Sequence, residues 1–262
     1  MFKYFKLLGI FWKFSVLREM EYRANFLTNA FMSVFWLFWG IIGTTIFFAH
    51  SDTLGGWTYE QVLVVLGLYT MFLGIMEAFF RPNITEMIEH VRVGTFDFVL
   101  VKPVNAQFYA SFHSLTMWRL ADVVAGAGLI LYALRVMGLT PTPTQWLAFA
   151  LLLAVALILV YCIWLGMMTM SFWFVKIDNF AELFYAFYET GRFPISVYGG
   201  LLRAFLTFVI PIAFITTFPA SALMALLDPM ELLIGLGLAF LLLGFTNRLW
   251  RFAVRSYASA SS

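Results

Sequence analysis

The chain has 262 residues, 63% of them hydrophobic and only 11% charged, against about 25% charged in an ordinary soluble domain. So few polar side chains cannot cover so much apolar surface, which excludes a soluble globular fold and indicates an all-α integral membrane protein. A net charge of +2 gives no basic face for nucleic acid, and a single cysteine, Cys162, excludes an intrachain disulfide or a thiolate metal cluster.

Residues 3–22 read as an amphipathic interfacial helix, with Tyr4, Leu7, Leu8, Phe11 and Phe14 interleaved with Lys3, Lys6 and Lys13. The mixture of charges and aromatics up to Arg23 is unlike a signal peptide, so the first apolar run is expected to stay in the mature protein. That run, 26–49, and the next, 60–80, are each long enough to span a bilayer. The polar loop 50–58 separates them, and Glu77 sits near the end of the second. The stretch 81–103 then carries Arg81, Glu86, Glu89, Arg92, Asp97 and Lys102. Its pattern predicts a short polar helix, a stop at Gly94 and an extended run ending at Lys102-Pro103.

One long helix is expected over 105–137, with His113, Arg119 and Asp122 in its first part, closed by Gly138 and the Pro141/Pro143 pair. The most hydrophobic stretch, 145–175, ends at Lys176. Residues 178–198 bear Glu182, Glu189 and Arg192 and close on Phe193-Pro194. An apolar run, 200–227, is interrupted by Arg203, Pro211 and Pro219, and the last span, 232–249, ends among Arg248, Arg251 and Arg255.

Twelve of the sixteen Lys and Arg fall in the N-terminal segment, the 81–102 stretch, the Lys176 turn and the C-terminal end, and none in the loops 50–59 and 138–145. By the positive-inside rule both termini and the central polar stretch are cytoplasmic, so the number of spans is even, and six are counted. Two arrangements of 177–230 stay open. Either 178–198 crosses and 200–227 forms an outer hairpin, which Pro211 and Pro219 favour, or 178–198 lies on the cytoplasmic surface and 203–226 crosses. The cost of Glu182, Glu189 and Arg192 at mid-membrane favours the second.

Glu86, Glu89 and Arg92 recur at i, i+3 and i+6 and share a helix face, either a plain solvated face or one that meets another protein. Arg119 and Asp122, at i, i+3, can neutralise each other. Together with Glu77, Glu182, Glu189 and Arg192 they are the candidates for lining a translocation path. Gly40 and Gly43 allow a close helix contact. Phe31, Phe35, Phe38 and Trp39 read as lipid-facing or packing aromatics. No Gly-x-x-x-x-Gly-Lys-[Ser/Thr] loop occurs, nor His-Glu-x-x-His, nor Gly-x-Ser-x-Gly, so any ATP hydrolysis has to come from another chain.

The order of these features resembles the permease subunits of ABC transporters of the ABC-2 superfamily. The likeness rests on the basic N-terminal helix, on Glu89-His-Val-Arg-Val-Gly-Thr-Phe-Asp-Phe-Val-Leu-Val-Lys-Pro-Val104, and on Phe193-Pro194, Arg203 and the run from Ile210 to Ala220. More narrowly, it looks like a bacterial branch in which two related permeases usually pair with one ATPase type. The resemblance implies an exporter in the inner membrane that binds no cofactor itself, ATP and Mg being held by partner ATPase subunits. It implies that 81–103 contains a coupling helix docking into an ATPase groove, with Glu86, Glu89, Arg92 and Gly94 at the contact. It also implies a second permease, a related chain more readily than an identical one, and a re-entrant outer hairpin at 200–227. The rival readings are an ion- or proton-coupled secondary transporter relaying through Glu77, Glu182 and Glu189, and a lipid-modifying enzyme, for which no clustered catalytic set exists.

Overall fold

A computed structural model describes residues 2–174 and 178–257, and the regular structure within them is helical, with one isolated bridge between Leu54 and Trp57. Lys176, and with it the end of the expected 145–175 span, lies outside the described residues. Among the described residues, five helices are long and apolar enough to cross a membrane: 23–48, 59–93, 117–136, 143–170 and 229–256.

Helix α1 (Phe2–Glu21) turns at Tyr22 into α2 (Arg23–Phe48). Leu7, Leu8, Phe11, Trp12 and Ser15 of α1 face the protein, while Phe5, Phe14 and Leu17 are exposed. It therefore offers apolar side chains on two sides, as a helix lying in a membrane interface must. Helix α3 (Tyr59–Ile75) starts from a capping box in which Thr58 and Gln61 satisfy each other's backbone N–H.

It passes through a single π turn, Met76–Phe80, into α4 (Arg81–Val93). The cause lies at Pro82, which has no N–H to offer the carbonyl of Ala78 four residues back. That carbonyl accepts instead from Thr116 N–H, at 3.0 Å. Asn83 completes the junction, its amide donating to Ser114 O (2.7 Å) and its carbonyl accepting from Ser114 N–H (2.8 Å).

This junction corrects the continuous helix expected over 105–137. The chain forms α6 (Ala106–Phe112), leaves helical geometry, makes a 3₁₀ turn at Met117–Arg119 and enters α7 (Leu120–Val136). His113-Ser-Leu-Thr116 contains neither Gly nor Pro, so nothing local breaks the helix. Its backbone groups are taken by other elements: Leu115 N–H by Ser15 of α1, and Met117 and Trp118 N–H by the Glu19 carboxylate. A carboxylate against these free N–H groups also suits the positive end of α7.

The extended run expected before Lys102 is replaced by another helical turn, α5 (Asp97–Leu100). Phe96 and Val99, three apart, are both buried, and Phe96 meets the rings of Phe172, Trp250 and Tyr257. An extended backbone would put residues three apart on opposite faces.

Helices α3 and α7 form the tightest pair in the fold, through glycines other than the expected Gly40 and Gly43. A Cβ on Gly74 would lie 2.8 Å from the Asp122 side chain, and one on Gly67 2.8 Å from the carbonyl of Gly126. At Gly43 a Cβ would meet open space, and at Gly40 only ordinary contact with Leu66.

Helix α8 (Pro143–Met170) packs along α13 (Pro229–Ser256). Between them in sequence, α9 (Asp178–Tyr188) is only 11 residues long and continues as 3₁₀ turns at Glu189–Arg192 and Ile195–Val197. Its contacts run antiparallel to α3: Glu182 near Arg81, Tyr188 Oη donating to Tyr69 O, and Ser196 donating to Gly55 O. Arg81 and Tyr59 stand about 33 Å apart along the helix, so 182–196 covers much of the depth that α3 does. Next come α10 (Gly200–Phe208), and α11 (Ile212–Ile215) with α12 (Thr217–Leu223), bent by 60° relative to α10. Pro211 prevents continuation, and the broken backbone is covered: every residue from Pro211 to Met224 is buried, mainly against α8.

Candidate functional site

Two groups of charged residues occupy different levels. At one end of the bundle, α1, α4, α5, α6 and the end of α13 come together: Lys3 Nζ donates to Pro103 O (3.2 Å), and Tyr257, just after α13, packs on Phe96. Gly94 ends α4 in the left-handed conformation (φ 75°), with its N–H and that of Thr95 directed at the carbonyls of the last turn.

Glu86, Glu89 and Arg92 of α4 do not act as one free face. Glu86 Oε2 lies 2.9 Å from Nε2 of His113, at the end of α6, and Oε1 lies 3.8 Å from His90. Contact with His113 holds the Glu86 carboxyl below its usual range, against the opposing effect of partial burial. Glu89 and Arg92 form a two-pronged pair at 2.8 and 2.9 Å on the solvent side. Beside them Val93, Phe98 and Val101 are exposed, Phe98 at 68% and Val101 at 78%. The outward surface of α4 and α5 thus carries an ion pair and three exposed apolar side chains.

Deeper in the bundle, the π turn brings Glu77 between two guanidiniums, Arg81 Nη1 at 2.8 Å and Arg119 Nη2 at 3.2 Å. Arg119 also reaches Asp122 at 3.3 Å, as the i, i+3 spacing predicts, and its ring-side face covers Trp118. Arg81 lies over the Tyr185 ring and 3.9 Å from Glu182, whose side chain is 74% exposed. Higher along α3, Glu189 and Arg192 pair at 2.7 Å, and Tyr69 donates to Glu189 while Arg192 lies over its ring. Opposite charges held this closely lower the cost of placing ions at membrane depth.

A cavity of about 590 Å³ lies between α2 and the rest of the bundle. Arg119, Asp122, Glu189 and Arg192 all line it, so four of the six path candidates share one space. Glu77 stands behind Arg119, and Glu182 faces Arg81, so neither lines the cavity.

The sequence reading passes over several participants. Arg81 was visible at i+4 from Glu77. His113 and Glu19 carry no local signal, because their partners are 27 and about a hundred residues away. Tyr69 and Tyr188, stacked at 4.8 Å, sit in apolar runs where nothing marks them.

The family model described as "ABC-2 family transporter protein" matches residues 34–261, from within α2 to beyond the end of α13. Searches of curated proteins and of solved structures gave no match. With five membrane-length helices among the described residues and this match over most of its length, the chain belongs to the ABC-2 transporter family, as a multi-pass membrane permease that works with ABC ATPase subunits.

Proposed function

We propose that the chain is one of two paired permeases of an ATP-driven exporter in a bacterial inner membrane. Both termini and the α4–α6 end face the cytoplasm, residues 178–198 cross the membrane, and α10–α12 form a re-entrant hairpin on the outer side. ATP and Mg are bound by the ATPase partners. The observation that carries the reading is the exposed α4–α5 surface, which lies at the same end of the bundle as the basic residues that mark a cytoplasmic side. Exposed Val93, Phe98 and Val101 on the same two helices as the solvated Glu89–Arg92 pair combine apolar and charged groups as protein interfaces do. The Glu89–Arg92 pair and these apolar side chains make the contact, while Glu86 is committed to His113 and anchors α4 to α6. Export, and a related rather than identical second permease, follow from the likeness of 89–104 and 193–220 to the exporter branch.

Motion received at α4 has a direct route inward, since α4 continues through the π turn to Glu77, and Glu77 holds Arg119 at the start of α7. An ion-coupled carrier would need carboxylates that release their partners, whereas Glu77, Glu182 and Glu189 each lie within 4.0 Å of a guanidinium.

The test is co-purification with the cognate ATPase. Phe98→Asp combined with Val101→Asp should abolish ATPase capture while leaving the melting profile of the permease unchanged. Undiminished capture would remove α4–α5 as the docking surface. Gradient-driven uptake into liposomes by the permease alone would replace the reading with a secondary carrier.

A further inference from the structure

The cavity beside α2 combines features that a packing defect lacks. Its outer wall is a helix with much bare surface: Phe31, Phe35 and Phe38 of α2 are exposed, and so are Trp36 and Trp39, which also line the cavity. Its inner wall carries two ion pairs at different heights, Arg119–Asp122 near the start of α7 and Glu189–Arg192 beside Tyr69. Glu189 and Arg192 keep 54% and 44% of their side-chain surface open although they lie level with the middle of α3. Arg119 Nε is buried with no hydrogen-bond partner among the described residues. Such groups cannot face lipid tails, so the cavity has to hold something polar at these two levels.

The shape narrows what that is. The lining follows α2 from Asn29 to Thr44, a run of about 22 Å at 1.5 Å per residue. That exceeds the roughly 15 Å of one leaflet's hydrocarbon, and the volume lies in the range of small-molecule sites. Leu37, Leu66, Leu73 and Gly43 give it apolar stretches beside the charged levels. Each charged level carries both signs, so a head group of a single sign meets a repelling partner beside every attracting one. A head with both signs meets complements for each.

We propose that this cavity binds a single-chain amphiphile with a zwitterionic head group, its chain lying along α2 and its head at the Glu189–Arg192 and Arg119–Asp122 levels. This rests on the reading of the chain as a permease and specifies the chemistry its cavity accepts. The bound molecule is either cargo or a resident lipid, since both present the same chemistry.

The experiment uses the full permease–ATPase complex in nanodiscs and a photoactivatable lysophosphatidylcholine, with cross-linked peptides mapped by mass spectrometry. Labelling should saturate, and should map to α2 and to Trp118–Asp122. Gly43→Leu inserts a side chain where a Cβ now meets open space, filling the cavity without touching either ion pair. It should weaken labelling by about tenfold or more, and Glu189→Gln with Arg192→Gln should do the same at unchanged melting temperature. Anionic lysophosphatidylglycerol and a cationic alkyltrimethylammonium of equal chain length should compete poorly. Non-saturable labelling, labelling indifferent to Gly43→Leu, or equal competition by the single-sign probes would overturn the proposal. Stimulation of ATP hydrolysis by the probe identifies cargo, and saturable binding without stimulation identifies a resident lipid, each in accord with the site. Because binding is read without ATP, undiminished ATPase capture by the α4–α5 variant would leave this result standing, and a negative result here would leave the docking test intact.

Discussion

The closest packing in the fold makes the sharpest prediction. A Cβ on Gly126 of α7 would lie 2.7 Å from the backbone N and 3.0 Å from the Cβ of Met71 on α3, where ordinary van der Waals contact is 3.4–4 Å. The nearest obstacles are backbone atoms, which cannot rotate aside, so Gly126→Ala has to part the two helices by several tenths of an ångström or more. A gap of about 0.5–1 Å already forfeits a quarter to a half of each dispersion contact, and overpacking of this kind costs about 1–3 kcal/mol. At about 1.4 kcal/mol per decade that is roughly a 5- to 150-fold shift in the unfolding equilibrium. Gly128→Ala is the control on the same helix, because a Cβ there meets nothing within 4 Å. It collects the helix-propensity gain of up to about 1 kcal/mol without the clash. Unfolding in mixed micelles, followed by tryptophan fluorescence, should rank Gly126→Ala below wild type and Gly128→Ala at or above it. If Gly126→Ala is as stable as Gly128→Ala, the α3–α7 contact is not what the geometry says.

The charge cluster predicts non-additivity. Glu77→Gln should destabilise by an amount approaching the roughly 3–5 kcal/mol of a broken buried pair, moderated because Arg119 keeps Asp122 and the half-exposed Arg81 can turn to solvent. Adding Arg119→Gln should cost much less than the sum of the single changes, read from a double-mutant cycle, and simple additivity would exclude a direct pair. The contact of Glu86 with His113 predicts a pH dependence. A carboxyl held below its usual value of 4.5 contributes stability that is complete above that value and is lost as pH falls through the lower, folded-state value. Melting temperature should therefore fall on acidification from pH 4.5 downward, and Glu86→Gln should be less stable near neutrality and flatter over the acid window. An unchanged acid limb in the variant would show that Glu86 does not anchor α4 to α6.

Functionally, the three contacts form one line through the molecule. The α4–α5 surface is the proposed docking face, the π turn carries α4 into Glu77, and the α3–α7 packing sets the distance from Glu77 to Arg119 at the cavity wall. Weakening Gly126 should thus impair coupling as well as stability.

The membrane class, the long apolar spans and the charge asymmetry were legible in the sequence because they depend on composition and on contiguous runs, which a bilayer reads without regard to tertiary contacts. So were purely local devices: Gly94, whose missing Cβ suits the left-handed stop, and the Arg119–Asp122 pair, three residues apart on one turn. Tertiary structure decided the rest. His113–Thr116 contains no breaker, and the helix opens there because Ser15, Glu19, Asn83 and the carbonyl freed by Pro82 offer its backbone better partners. Phe96 and Val99 share a helical turn because both must reach the same pocket of aromatic rings. Gly67 and Gly126, unremarkable in their own runs, matter only because α3 and α7 cross at those two residues. The same holds for the site: Glu86 turned out to belong to His113, and four charged residues from two distant segments came to line one cavity. Local spacing determines which groups can pair within a helix, and only the packing of helices determines which of them face each other.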